Sequence, residues 1–182
     1  NNLLYFFPLC INSFLLTLFL FIIIPQKPHM KKIFFLLNDT NNLFRLRKDL
    51  IEFADDKNFK IYIFCNKIGN KETIRNIRLI KTYGESNSLN PIFIFLNIFI
   101  IFFQTLINKP IIIYSFTIKP NIYAILTSFF FKTKSVSTFS GLGNLYLRNK
   151  QIYKLIFKFI SLFKSKNNYI LFHNEEDKFF FI

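Results

Sequence analysis

PIIIYSFTIKPNIYAILTSFFFKTKSVSTF, residues 110–139, decides the fold. Residues 110–115 are a β-branched apolar run. Apolar positions recur at helical spacing over 120–131, and 135–139 return to an extended pattern. The same alternation extends outward in both directions. Upstream, KIFFLL at 32–37 is a short strand ending at Asn38-Asp39, a turn or cap pair, and residues 43–53 carry apolar positions at helical spacing. KIYIFC at 60–65 is a second strand. A polar stretch over 66–90 holds a short helix around 71–77, and Pro91 opens a helix running to about 107. Downstream, 148–163 is helical and 169–172 is the last strand. Strands apolar on both faces and separated by helices predict an α/β domain with a Rossmann-like parallel sheet, helices on both faces.

With 182 residues and 52% apolar content, the chain is sized for one sizeable domain with a buried core. Four glycines and six prolines are too few for collagen-like or linker sequence. Cys10 and Cys65 form no disulfide framework. His29 and His173, the only histidines, stand apart from them, so no metal site is expected. The net charge is +14, and no acidic residue occurs between Glu85 and Glu175. This balance favours anionic partners, although Phe, Ile, Asn and Lys are all abundant, as an AT-rich coding sequence would make them. Nucleic acid is not an expected partner: the aromatics lie in apolar runs, and no RNA-recognition or zinc-ligand pattern is present.

Residues 1–29 form a separate segment ahead of a domain at 30–182. Residues 3–24 carry no charge and are long enough to span a bilayer as an apolar N-terminal helix. Lys27, Lys31 and Lys32 follow, which would put the domain on the cytoplasmic face of the membrane. The other reading takes Met30 as the natural start, with 1–29 as translated upstream sequence. Both stay open.

Ligands of such sheets sit beyond the C-terminal strand ends, near the switch in strand order. The polar residues there are Asn38, Asp39, Asn66 and those of 115–121, 140–144 and 173–177. Neither GxGxxG after the first strand nor GxxxxGK[ST] occurs, so neither a dinucleotide fingerprint nor a P-loop is present.

Three blocks at these strand ends carry a resemblance. They are Asn38-Asp39 with Phe44 and Arg47; SFTIKPNIY at 115–123; and STFSGLG at 137–143, with Asn174-Glu175-Glu176-Asp177 after the last strand. Together they resemble the N-terminal, acceptor-side domain of GT-B glycosyltransferases of the family 4 type, especially bacterial enzymes of polyprenyl-diphosphate-linked glycan assembly. The resemblance covers the chain from about Met30 onward. It implies transfer of a sugar from a nucleotide-sugar co-substrate, with no other cofactor, to a hydroxyl of a lipid-linked saccharide, with retention. It also implies a donor-binding second domain that this chain lacks, so the chain alone is expected to be inactive. The substrate-binding residues implied are Asn38, Asp39, Arg47, Thr117, Lys119, Asn121, Ser140, Gly141 and Gly143. Many relatives carry histidine where this chain has Ser140, which removes a contact to the donor sugar. The alternative class is a non-catalytic, membrane-anchored cytoplasmic accessory domain.

The residues have physical readings of their own. Lys119, Pro120 and Asn121 mark a loop entering a helix, where Lys119 and the helix N-terminus favour an anion, and where the same residues serve plain helix initiation. Gly141 and Gly143 flank a strand-to-helix turn that lets backbone N–H groups approach a substrate. Arg47, expected inside the first helix, is a planar fork suited to phosphate or a sugar hydroxyl. Lys150, Lys154 and Lys158 stripe the helix at 148–163, suited to an anionic membrane surface or a solvated face. The uncharged residues 92–107 are short for a span and read as a buried or shallowly dipping helix.

Overall fold

The computed structural model describes residues 30–69, 76–85, 88, 90–139, 150–163 and 165–173. In chain order the elements are β1 (Lys32–Leu36), α1 (Thr40–Leu46), α2 (Lys48–Asp56), β2 (Lys60–Cys65), β3 (Ile77–Lys81), α3 (Pro91–Asn108), β4 (Ile112–Phe116), α4 (Ile118–Phe131), β5 (Lys134–Phe139), α5 (Lys150–Leu162) and β6 (Asn168–Phe172). All six strands lie in one sheet of order β3-β2-β1-β4-β5-β6. Every neighbouring pair is parallel. This is the Rossmann-like α/β architecture expected. Right-handed crossovers lay β2 and β3 to one side of β1, and β4 to β6 to the other. The helices of the two halves therefore cover opposite faces.

Strand alternation sorts the core accordingly. Ile33, Phe35 and Leu37 with Ile61, Ile63 and Cys65 pack on Leu43, Phe44, Ile51 and Ala54 of α1 and α2. Phe34, Leu36, Tyr62 and Phe64 face the other way, onto Ile101 of α3 and Tyr123 and Ala124 of α4. Phe139, Ile125, Phe157 and Ile160 form a third cluster between β5, α4 and α5. The strands β1 and β2 are buried on both faces, which is why they read as unbroken apolar runs.

Three expectations are corrected. The short helix around 71–77 lies mostly outside the described residues, but Ile77 opens a strand, β3, that the sequence reading lacks. Arg78 and Lys81 interrupt its pattern because β3 is an edge strand, where charge on the outer side is tolerated. The helix expected over 43–53 is two helices, α1 and α2, parted at Arg47, whose φ of −141° and ψ of 26° leave the helical region. The helix expected from 120 begins at Ile118, so Pro120 lies within its first turn, and its N-cap is Thr117. The apolar segment before Met30, together with Ser140, Gly141, Gly143 and 174–177, lies outside the described residues.

Candidate functional site

Because all six strands run the same way, their C-terminal ends, and the described residues that follow β1, β2, β4 and β6, gather along one edge of the sheet. The order reverses between β1 and β4, and the crevice of a doubly wound sheet opens there. Asn38 leaves β1 and Thr117 leaves β4 at that point. The Asn38 amide Nδ2 donates to Thr117 Oγ1 at 3.0 Å, across 79 residues of chain. Accepting this bond leaves the threonine O–H still to donate, unpaired among the described residues.

Thr117 is held in an unusual conformation, with φ 78° and ψ 159°. That region is essentially reserved for glycine, and a β-branched side chain there is strained. The strain has a geometric use. The chain must leave β4 and enter α4 within one residue, and Thr117 lends no side-chain cap to the helix it precedes. Its hydroxyl is spent on the crevice instead.

Arg47 enters from the break between α1 and α2. Its backbone N–H closes α1 on Leu43 O at 2.8 Å, and the departure from helical geometry turns the side chain across the strand ends. Nη1 donates to Leu46 O at 2.8 Å, Nη2 lies 3.5 Å from His173 Nε2, and Cζ sits 5.6 Å from the Phe116 ring centroid. An arginine always donates, so His173 Nε2 accepts in this contact. His173 is tied back to β5 by its N–H to Phe139 O at 3.3 Å. His173 stands among the strand-end polar residues at 173–177 that the sequence offered, but neither it nor Phe116 is among the nine substrate-binding residues the resemblance implies. Their signal was position alone: each sits at or just past a strand's C-terminal end.

The remaining expected residues that are described, Asp39, Lys119 and Asn121, have structural partners. Asp39 caps α1, its Oδ1 accepting from Asn41 N at 2.9 Å, and Oδ2 stands 3.9 Å from the Lys67 ammonium. Lys119 donates to Glu85 O and to Ser88 O, both at 2.8 Å, and so ties the loop ahead of α3 to the first turn of α4. Burial pulls its pKa down. The expected anion-facing role therefore competes with two carbonyls that already hold the ammonium. Asn121 is fully buried and does not cap α4 as the sequence suggested. Its Nδ2 donates to Thr138 O at 3.0 Å, clamping α4 to β5, while its buried Oδ1 has no partner among the described residues. Beneath the edge, Ser115 and Ser137 bond to each other at 2.9 Å and are sealed in the sheet.

Chemically, the described edge offers a guanidinium, a free hydroxyl donor and an aromatic face: a binding surface for anionic and hydroxyl groups. It offers no activated nucleophile. Burial and the Asp39 carboxylate push the Cys65 thiol up to about 11. Among the described residues no cluster of histidine, cysteine and carboxylate suits a metal ion.

The features above define a doubly wound α/β domain with its polar donors collected at the switch point. No protein-family profile and no curated protein matches the chain. Among solved structures, one assigned as a UDP-N-acetylglucosamine 2-epimerase from Listeria monocytogenes is similar, with a TM-score of 0.45 and 11% identity over 70% of this chain. The chain spans about 38% of that protein's length.

Proposed function

We propose that this chain is the acceptor-side domain of a GT-B glycosyltransferase of the family 4 type, acting on a polyprenyl-diphosphate-linked saccharide at the cytoplasmic face of the membrane. The sugar would come from a nucleotide-sugar held by a donor-side domain supplied by further polypeptide. The observation that carries the reading is the switch-point arrangement of Thr117, Asn38 and Arg47. A strained threonine presents a hydroxyl donor bonded to Asn38, and a guanidinium lies over the ring of the preceding residue, Phe116, at the place where such sheets bind ligands. In this reading Arg47 holds the acceptor diphosphate by charge-assisted bonds, stacked on Phe116 and braced by His173. Thr117 orients a hydroxyl of the acceptor sugar. Transfer through an oxocarbenium-like state asks this half for alignment rather than for a strong base.

The test is calorimetric titration of the full chain with a short polyprenyl-diphosphate N-acetylhexosamine. Saturable binding is expected, weakened about tenfold by Arg47→Ala, as loss of a charge-assisted hydrogen bond requires. Equal affinity in wild type and Arg47→Ala, or no binding, would leave the non-catalytic accessory reading in its place.

A further inference from the structure

The layer formed by α3, α4 and α5 carries a band of exposed apolar side chains on its outside. α3 has no ionisable residue from Pro91 to Asn108. Its inner side is committed to the domain: Ile101 is buried against the sheet, and the Asn97 amide accepts from Tyr83 N at 2.8 Å and donates to Tyr83 O at 2.9 Å. Its outer side carries Ile92, Phe95 and Phe99, which are 65%, 69% and 60% exposed, followed by Phe103 and Leu106. These positions, three and four apart, form one stripe. By length and composition the helix is long and apolar enough to cross a membrane. Docked on the sheet through Ile101 and on the loop after β3 through Asn97, it lies along the domain surface instead.

The stripe continues onto its neighbours. Phe102 meets Phe131 edge-on at 5.2 Å, and Phe130 at 5.6 Å. Phe129 and Phe130 in turn contact Phe163, just past the end of α5, and Phe159 lies 4.9 Å from Phe163. Leu155 and Leu162 are exposed on α5 beside them. A continuous band of this kind across three helices is more than scattered surface apolarity and marks an interaction face.

Charge identifies the partner. Asp49, Glu52, Asp55 and Asp56 all lie on α2, on the opposite face of the sheet. Residues 86–174, which contain the whole apolar layer, hold no acid at all. Lys109, Lys132, Lys154 and Lys158 are exposed there. A second copy of the same face would bring cations against cations. A nucleic acid would meet an uncharged phenylalanine stripe in place of phosphate contacts. Apolar rings that can enter the acyl boundary, with flanking lysines that can reach headgroups, match an anionic bilayer surface.

We infer that the face made by α3, α4 and α5 docks flat on an anionic phospholipid bilayer. The inference rests on surface shape and charge and stands apart from the sugar-transfer reading. The chain contains no tryptophan, so a single one reports its own site. Phe99→Trp places it on α3, and Phe53→Trp places it on the exposed side of α2, where Phe53 is 57% exposed. Both full-length variants are mixed with phosphatidylcholine vesicles containing or lacking phosphatidylglycerol, with and without brominated acyl chains.

The expected result is a blue shift and bromine quenching for Phe99→Trp with anionic vesicles, and neither for Phe53→Trp. Phe95→Ser and Phe99→Ser should each weaken vesicle partition about tenfold. The inference is overturned if Phe99→Trp stays water-exposed while the chain sediments with vesicles, since residues outside this face then carry the attachment. It is equally overturned if its emission is already shifted without lipid and varies with protein concentration, which would make the face a contact between copies.

Discussion

Replacing Thr117 tests whether the switch-point strain is real. Its φ of 78° and ψ of 159° cost a side-chain-bearing residue about 1–3 kcal/mol. Glycine relieves this strain but loses the bond from Asn38, worth about 0.5–1.5 kcal/mol, and frees the unfolded chain by about 0.4–1 kcal/mol. These terms nearly cancel, leaving Thr117→Gly within about 1 kcal/mol of the parent. Alanine also loses the bond yet keeps a Cβ in the same forbidden region. Thr117→Gly should therefore be more stable than Thr117→Ala by about 1 kcal/mol, reversing the order found at ordinary positions. Urea unfolding followed by far-UV circular dichroism reads this directly. With a slope of about 2 kcal/mol per molar, the two midpoints separate by about 0.5 M. An alanine variant as stable as the glycine variant, or more so, would falsify the strain argument and remove the structural reason for assigning Thr117 a binding role.

Other expectations concern the groups that hold the edge in place. Asn97→Ala unpairs both backbone groups of Tyr83 and should cost about 2 kcal/mol, a fall in Tm of roughly 6 °C by calorimetry; an unchanged Tm would show that the amide does not anchor α3. Cys65 has its thiol pushed up to about 11 from an ordinary 9.0. The folded state thus keeps a proton that the unfolded chain releases. The resulting contribution is whole below pH 9 and is lost as pH rises toward 11, a drop of about 2–3 kcal/mol. Unfolding titrations across that range should show this slope in the parent and a shallower one in Cys65→Ala; identical slopes would contradict the assignment. In a Cys10→Ser background, a disulfide reagent should label Cys65 only in denaturant, and rapid native labelling would show that it is not sealed.

How much was legible in the sequence differs from element to element. β1 and β2 were readable because burial on both faces leaves unbroken apolar runs, β4 from its β-branched run and β5 from its extended pattern, and α3 because Pro91 announces it; the structure adds a cap, Asn90 Oδ1 accepting from Ile92 N at 3.0 Å. β3 was not, since an edge strand keeps only part of the pattern. Arg47 was expected inside the first helix and stands instead at the break between α1 and α2. A helix break made by one residue's backbone angles has no compositional signature, because Leu46 and Lys48 are both good helix formers. Asn121 was read as a local cap, whereas its partner, the Thr138 carbonyl, is 17 residues away.

The amino-acid order alone determined an alternating α/β layer, an acid-free stretch over 86–174 and the polar residues placed after each strand, because periodicity and charge are local properties. Only the tertiary structure decided which of those residues meet. Strand order puts Thr117 beside Asn38 and lets Arg47 reach Phe116 and His173. It also places every helix of the acid-free stretch on one face, with the acids of α2 on the other. The physical reason is that strand order, with its reversal at β1 and β4, is set by long-range pairing, which no window of neighbouring residues encodes, and the generic right hand of crossovers then assigns the helices to their faces.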